Sequence, residues 1–155
     1  VGEGSTMKDF KYDEEIEIMD NGSQPFLFYK SQTWVRGNKE KPMHSESGFI
    51  RFPSEKGVDL VVSQCTGITE ISSGDIADDK DKTEQKEDQQ KSFTVTLSSC
   101  SLGRVPTAND PKVTQVQRVY KYDCTADTFS YEISKADTKT PELTKHLSGS
   151  FKRQK

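Results

Sequence analysis

Two histidines are the side chains best suited to chemistry in this chain of 155 residues. A neutral imidazole ligates metals and acts as an acid or base near neutral pH, so His44 and His146 are the first candidates for a site. The sequence contains no G-x-S-x-G, P-loop, H-E-x-x-H or C-x-x-C motif, which leaves a Ser-His-Asp hydrolase or a two-metal hydrolase unsupported. On composition and spacing alone, each histidine is either a ligand or a structural residue beside apolar neighbours.

Acidic residues cluster near the amino end, at Asp13, Glu14, Glu15 and Glu17. A run of carboxylates can bind a metal or act in acid–base chemistry. Here acidic and apolar positions alternate, so Glu15 and Glu17 fall on one face of a strand. We interpret that face as the solvated one.

Three cysteines, Cys65, Cys100 and Cys124, are an odd number at spacings that fit neither a zinc site nor a disulfide framework. This pattern predicts reduced thiols. Reduced thiols favour the cytoplasm or the nucleus, and we expect the protein in one of those compartments.

The composition argues against two broad classes of partner. Hydrophobic residues make up 30% of the chain and the net charge is −3, without the basic excess of a general nucleic-acid-binding domain. The longest apolar stretch, Phe26–Tyr29, is far too short to span a membrane. The chain begins at Val1 without a start Met or a signal peptide, and we interpret residues 1–155 as a single domain, truncated at its amino end.

Short alternating segments predict an all-β fold. Tyr12–Ile18 is the first, Asn21-Gly22 supplies a hairpin turn, Phe26–Val35 is the partner strand, and Gly37-Asn38 with Pro42 marks the next connection. Further strands are expected near residues 46–52, 58–63, 67–76, 92–101, 113–122, 128–136 and 143–152. This regular spacing, without a helical apolar stripe, predicts a closed antiparallel β-barrel of nine to ten strands, polar outside and apolar within.

Residues 78–92 break the alternation with ten charged residues of fifteen and no apolar one. Such a segment cannot bury surface, so we expect a mobile, solvated loop between two strands. An acidic docking tail is the alternative, which the mixed signs of its charges disfavour.

Four motifs occur in order along the chain. They are Phe10-x-Tyr12-x-Glu14-Glu15-Ile16, Pro42-Met43-His44-x-Glu46-x-Gly48-Phe49-Ile50-Arg51, Gln64-x-Thr66-Gly67-x-x-Glu70-Ile71 and Thr144-x-His146-Leu147. At all four the sequence resembles the nitrobindins, haem-binding β-barrels of which one forms the C-terminal domain of a THAP-type zinc-finger protein. The resemblance covers almost the whole chain and implies a barrel similar to the lipocalins and fatty-acid-binding proteins.

The resemblance also implies a site. His146 would be the protein ligand of the iron in haem b, and the catalytic residue, because an imidazole nitrogen is a good axial ligand. Met43 and Gln64 would line the cavity and Thr6 would lie beside the haem. Two roles stay open for His44: a contact at the porphyrin edge or distal face, or hydrogen bonds that hold its own turn.

The chain departs from the family pattern at two places. The opening G-x-W-x-G-x-G motif is reduced to Val1–Gly4, without its Trp half. If a strand were missing from the molecule, the barrel would have an open seam with unpaired backbone groups. Ala136 stands where some family members carry Met, which would enlarge the pocket locally.

The activity implied by the resemblance is isomerisation of peroxynitrite to nitrate on ferric haem, with reversible binding of nitric oxide. Two other classes stay open: a haem-free carrier of a fatty acid or other apolar ligand, and a degenerate domain kept for protein interaction. The sequence leaves open whether the domain forms a homodimer.

Overall fold

The computed structural model describes residues 2–4, 10–20, 22–78 and 92–152, and the regular structure in these ranges is β-strand throughout. Ten strands follow one another: β1 (Gly2–Gly4), β2 (Phe10–Asp20), β3 (Phe26–Val35), β4 (Asn38–Arg51), β5 (Gly57–Gln64), β6 (Ile68–Asp78), β7 (Phe93–Arg104), β8 (Val113–Asp123), β9 (Thr128–Asp137) and β10 (Thr144–Lys152). The described ranges contain no helix that is long and apolar enough to cross a membrane.

The strands form a closed barrel in which neighbours in sequence pair antiparallel and β1 joins β10 to β2. Gly2 of β1 pairs with Gly149 of β10 and with Tyr12 of β2. The reduced amino-terminal motif suggested an open seam in the barrel. That expectation is wrong, because β1 pairs with the edges of both β10 and β2. The ten-strand barrel confirms the expected fold class.

Strand alternation separates an apolar interior from a polar exterior. Eight buried apolar side chains form one cluster inside the barrel: Tyr29, Val58, Leu60, Val62, Val95, Leu97, Tyr120 and Tyr131. On the opposite face of β2, Glu15 and Glu17 are exposed and pair with surface lysines, as the alternation predicted. Burial of a side chain such as Leu60, which is 2% exposed, is worth about 1.5–3 kcal/mol.

The strand β4 begins earlier than the sequence suggested. A turn with Gly37 at φ +70° follows β3, and β4 starts at Asn38, so the prediction that Pro42 belongs to a connection is wrong. Pro42 lies inside β4 opposite Trp34, where the register between β3 and β4 shifts. A proline lacks the N–H that a regular ladder needs and is accommodated at such irregularities.

Two expectations fall wholly or largely outside the described residues. Asp78 at the end of β6 pairs with Phe93 at the start of β7, so the charged segment connects two adjacent strands, but residues 79–91 are not described. Its mobility stays a prediction. Thr6 also lies outside the described residues.

Candidate functional site

One end of the barrel contains a cavity of about 440 Å³. Antiparallel order brings the first halves of β2, β6, β8 and β10 to this end, together with the last halves of β3, β5 and β9. The apolar part of its wall consists of Phe10, Met43, Ile68, Val113, Val116, Ile133 and Leu147. The cavity can therefore take a ligand that is mainly apolar.

His146 reaches this cavity because β10 is irregular at that point. Lys145 pairs with Ser134 and Leu147 pairs with Ile133, so His146 is an extra residue in the ladder between β10 and β9. Such a β-bulge turns a side chain away from strict alternation. As a result, His146 and Leu147 both line the cavity although they are consecutive. The histidine lies inside β10 (Thr144–Lys152), within the last strand expected near residues 143–152.

His44 lies at a second bulge. Met43 and His44 together oppose Thr33, since the register shifts between the pairs Gln32–Ser45 and Trp34–Pro42, and both side chains line the cavity. The backbone N–H of His44 donates to Thr33 Oγ1 at 2.9 Å, and Thr33 donates back to the His44 carbonyl. These bonds fix the bulge.

The imidazole of His44 lies between a thiol and a carboxylate. Its Nδ1 is 3.9 Å from Cys65 Sγ and its Nε2 is 3.6 Å from Glu46 Oε2. Cys65 itself is exposed while its neighbour Gln64 lines the cavity. The two contacts hold the ring of His44 in one orientation at the cavity wall.

A buried ionic cluster forms the floor of the cavity. The Arg118 guanidinium donates to Glu46 Oε1 and Oε2 and to Glu70 Oε1 and Oε2, at 2.7–3.0 Å. It also donates to the Tyr120 hydroxyl at 3.3 Å. Arg118 is 2% exposed, Glu46 6% and Glu70 0%, so these charges are stabilised by one another and not by bulk water. All five guanidinium N–H donors have a partner.

The charge of Arg118 controls the protonation of its neighbours. Burial by itself would raise the pKa of Glu46, but the Arg118 charge and the hydrogen bonds from His44, Arg118 and Tyr29 bring that pKa well below its usual value. Glu46 is therefore an ionised, weakly basic carboxylate. Burial raises the pKa of Tyr29, which donates to Glu46 at 2.8 Å, so that phenol stays protonated.

A second polar network occupies the cavity wall on β2 and β9. The Tyr131 hydroxyl donates to Glu14 Oε2 at 2.5 Å and lies 2.6 Å from the Tyr12 hydroxyl, while Ser31 donates to the other Glu14 oxygen at 2.5 Å. Burial raises the pKa of Glu14, although the bonds from Ser31 and Tyr131 oppose that shift. Burial also raises the pKa of Tyr12 to about 12.

The structure brings together four of the five residues expected at the site: Met43, His44, Gln64 and His146 line one cavity from three strands. Ala136 is buried on β9 but does not line the cavity, so the local enlargement expected there is not found.

Sequence reasoning missed the roles of Arg118 and of the carboxylates beneath the cavity. Glu46 and Glu70 belong to the sequence motifs, but the motifs indicate no function for them. Alternation within their strands places both on the inward face, and two buried carboxylates need a cation. Arg118 lies between the inward positions Val116 and Tyr120, so its place on the inward face could have identified it as that cation.

The sequence matches the family described as the THAP4-like, heme-binding beta-barrel domain over residues 1–153. The chain belongs to this family. The match extends from β1 to β10 and so includes both histidine-bearing bulges. A haem-binding β-barrel is thus shown for this chain.

Curated proteins similar to this chain include peroxynitrite isomerases. The chain is 36% identical to peroxynitrite isomerase 1 of Rhodococcus jostii over 154 residues, covering 98% of this chain and 76% of the relative. It is 32% identical to the peroxynitrite isomerase of Nocardia farcinica, covering 98% and 80%. The crystal structure of Rv2717c from Mycobacterium tuberculosis superposes with a TM-score of 0.83 at 31% identity, covering 99% of this chain and 88% of that one.

Proposed function

We propose that this domain binds haem b through His146 and isomerises peroxynitrite to nitrate. The observation that carries the proposal is the bulge that directs an imidazole into an apolar cavity of about 440 Å³. The name shared by relatives that are 32–36% identical supports the reaction.

The residues present fit a haem. The macrocycle is flat and mainly apolar, supplies four nitrogen ligands of its own, and needs one strong axial donor from the protein. His146 offers that donor, and Phe10, Ile68 and Ile133 give the same cavity an apolar wall. Bound ferric haem supplies the iron centre on which peroxynitrite is converted and nitric oxide binds.

His44 has a different task in this proposal. Its ring lies between Glu46 and Cys65 at the cavity wall, where it can contact a bound reactant. We propose that His44 would contact the haem at its edge or distal face, without serving as the iron ligand. The hydrogen bonds to Thr33 show that its backbone also holds the local turn.

The carrier alternative is disfavoured by the cavity floor. A barrel that holds a fatty acid needs a cation with donors available for the ligand carboxylate. All five donors of Arg118 already bond to protein oxygens, and two carboxylates face one guanidinium. A further carboxylate buried at the floor would therefore be repelled, and a fatty-acid carboxylate would have to pair with Lys135 in the cavity wall instead.

A direct test compares haem-loaded and haem-free protein mixed with peroxynitrite. We expect the haem-loaded protein to accelerate the decay of peroxynitrite absorbance and to give nitrate, whereas the haem-free protein leaves the decay unchanged. Nitric oxide should shift the Soret band of the loaded protein reversibly. Equal decay rates for the two preparations would refute the proposed reaction.

A further inference from the structure

Tyr131 is a buried tyrosine in the cavity wall, and its hydroxyl proton points to a base. The side chain is 6% exposed and its hydroxyl donates to Glu14 at 2.5 Å. Because that proton points to Glu14, the Tyr131 oxygen can only accept at its 2.6 Å contact with Tyr12, whose single hydroxyl proton also faces the Ser148 carbonyl at 3.2 Å. Tyr131 thus has an acceptor for its proton in Glu14.

This arrangement favours one-electron oxidation of the phenol. A phenol that loses an electron becomes a strong acid, so oxidation is fastest where a base takes the proton in the same step. Glu14 is such a base, since burial raises its pKa and so strengthens it as a proton acceptor while it is ionised.

Two other buried tyrosines lack such a base. Tyr29 donates to Glu46, whose basicity is weakened by its bonds to Arg118. Tyr120 receives a hydrogen bond from Arg118, and that cation opposes loss of an electron from its ring. Tyr29 and Tyr120 therefore serve as internal controls for the effect of the neighbouring base on the oxidation of Tyr131.

We propose that Tyr131 is a nitration site, at which nitrogen dioxide radical formed from peroxynitrite reacts inside the cavity. The inference rests on the proposed function only in naming peroxynitrite as the source of the oxidant.

In the first step an electron passes from Tyr131 to nitrogen dioxide, giving nitrite, and the phenol proton passes to Glu14. In the second step another nitrogen dioxide forms a C–N bond ortho to the oxygen. The ring C–H proton is released and the hydroxyl regains a proton, so that one phenol and two nitrogen dioxides give one nitrophenol, one nitrite and one proton.

The cavity gives the oxidant access to the ring. Tyr131 lines it together with Glu14 and Tyr12, and a triatomic radical is small beside a volume of about 440 Å³. Tyr29 and Tyr120 are not among the lining residues. Access therefore favours Tyr131 over Tyr29 and Tyr120. Tyr12 also lines the cavity, but its hydroxyl lies against Tyr131 and the Ser148 carbonyl and has no carboxylate to accept its proton.

The experiment uses haem-free protein in bicarbonate buffer, where peroxynitrite reacts with carbon dioxide and yields nitrogen dioxide without any enzyme. Peptide mapping by mass spectrometry then gives the nitrated fraction of each tyrosine. Tyr122, which bonds to Asp127 at the surface, reports the dose of oxidant. We expect Tyr131 to be nitrated about tenfold or more above Tyr29 and Tyr120, and Glu14→Gln to lower Tyr131 nitration about tenfold while Tyr122 is unchanged.

Nitration of Tyr131 no greater than that of Tyr29 would overturn the proposal, as would an unchanged yield in a folded Glu14→Gln variant. If that variant does not fold, the comparison among tyrosines within the unmodified protein still decides. Because the oxidant comes from bicarbonate chemistry, this outcome is independent of whether haem-loaded protein forms nitrate.

Discussion

At the scale of single residues, Arg118 has the largest effect on the cavity floor. Its guanidinium is 2% exposed and joins Glu46 on β4 to Glu70 on β6. Removing one member of a buried ionic cluster leaves the others uncompensated in a medium of low polarity. The stability of the barrel and the shape of its cavity therefore both depend on this side chain.

We expect Arg118→Met to lower the free energy of unfolding by about 3–5 kcal/mol, because two buried carboxylates lose their counter-ion. Urea denaturation followed by circular dichroism measures the loss. Arg36→Met is the matched control: Arg36 pairs with Asp13 at the surface with 48% of its side chain exposed, and its replacement should cost no more than about 1 kcal/mol. Equal losses of unfolding free energy in the two variants would show that the buried cluster stabilises the barrel no more than the surface ion pair does.

The depressed pKa of Glu46 predicts the direction of a pH effect. Its folded-state pKa lies below the unfolded value of about 4.5, so its contribution to stability is present above pH 4.5 and is lost as the pH falls toward the folded-state pKa. Charged and titratable groups that face it are Arg118, Tyr29 and His44. The stability difference between the parent and Glu46→Gln should therefore be largest above pH 4.5 and shrink in acid. A difference that stays constant from pH 7 to pH 3 would contradict this linkage.

At the scale of elements, the bulges position the site. His146 and the pair Met43-His44 each lie where two strands change register, and in each case consecutive side chains reach one cavity. A regular ladder would send one of each pair to the outer face. The barrel thus obtains two imidazoles in its cavity from irregularities in β4 and β10.

A close approach of β4 and β5 depends on a glycine. A Cβ on Gly48 would lie 1.8 Å from the carbonyl oxygen of Val61, a backbone atom that can move only if the ladder separates. We expect Gly48→Ala to destabilise the barrel by about 3 kcal/mol or more and to remove hydrogen-exchange protection from β5. Ser47→Ala, at an exposed neighbouring position, should change stability by less than about 0.5 kcal/mol. Similar stabilities for the two variants would refute the close approach.

Alternation in the sequence predicted most strands but not their irregularities. The strands predicted at Val58–Ser63 and Val113–Tyr122 are confirmed within a few residues, because one buried face imposes a period of two. A bulge depends on the register between two strands that are distant in sequence, so no local pattern at His146 could indicate it. The position of Pro42 inside β4 was missed for the same reason.

Predicting the site required more than local pattern. The resemblance identified Met43, His44, Gln64 and His146, which the fold brings to one cavity. It did not indicate the partner of each buried polar group, since the contact between Tyr131 and Glu14 joins residues 117 positions apart. Such contacts follow from closure of the barrel, a property of the whole chain.

At the scale of the whole molecule, the barrel has a filled part and an open part. The apolar cluster around Leu60 and Leu97 fills the interior, the cluster of Arg118 forms a polar layer, and the cavity with both histidines lies at one end. His146 itself is not a member of the apolar cluster or of the Arg118 cluster, although residues of both also line the cavity. Changes at His146 are therefore expected to leave the barrel folded.

The measurement that tests the account most directly is a hemin titration of the His146→Ala variant, followed by Soret absorbance and compared with the parent and with His44→Ala. Circular dichroism confirms that each variant retains the barrel. We predict that His146→Ala weakens ferric haem binding about 100-fold or more and abolishes nitrate formation, whereas His44→Ala retains haem with altered ligand binding. A folded His146→Ala variant that binds hemin as tightly as the parent, with the same spectrum, would contradict ligation by His146. Loss of the Soret band in His44→Ala alone would assign the iron to the other histidine.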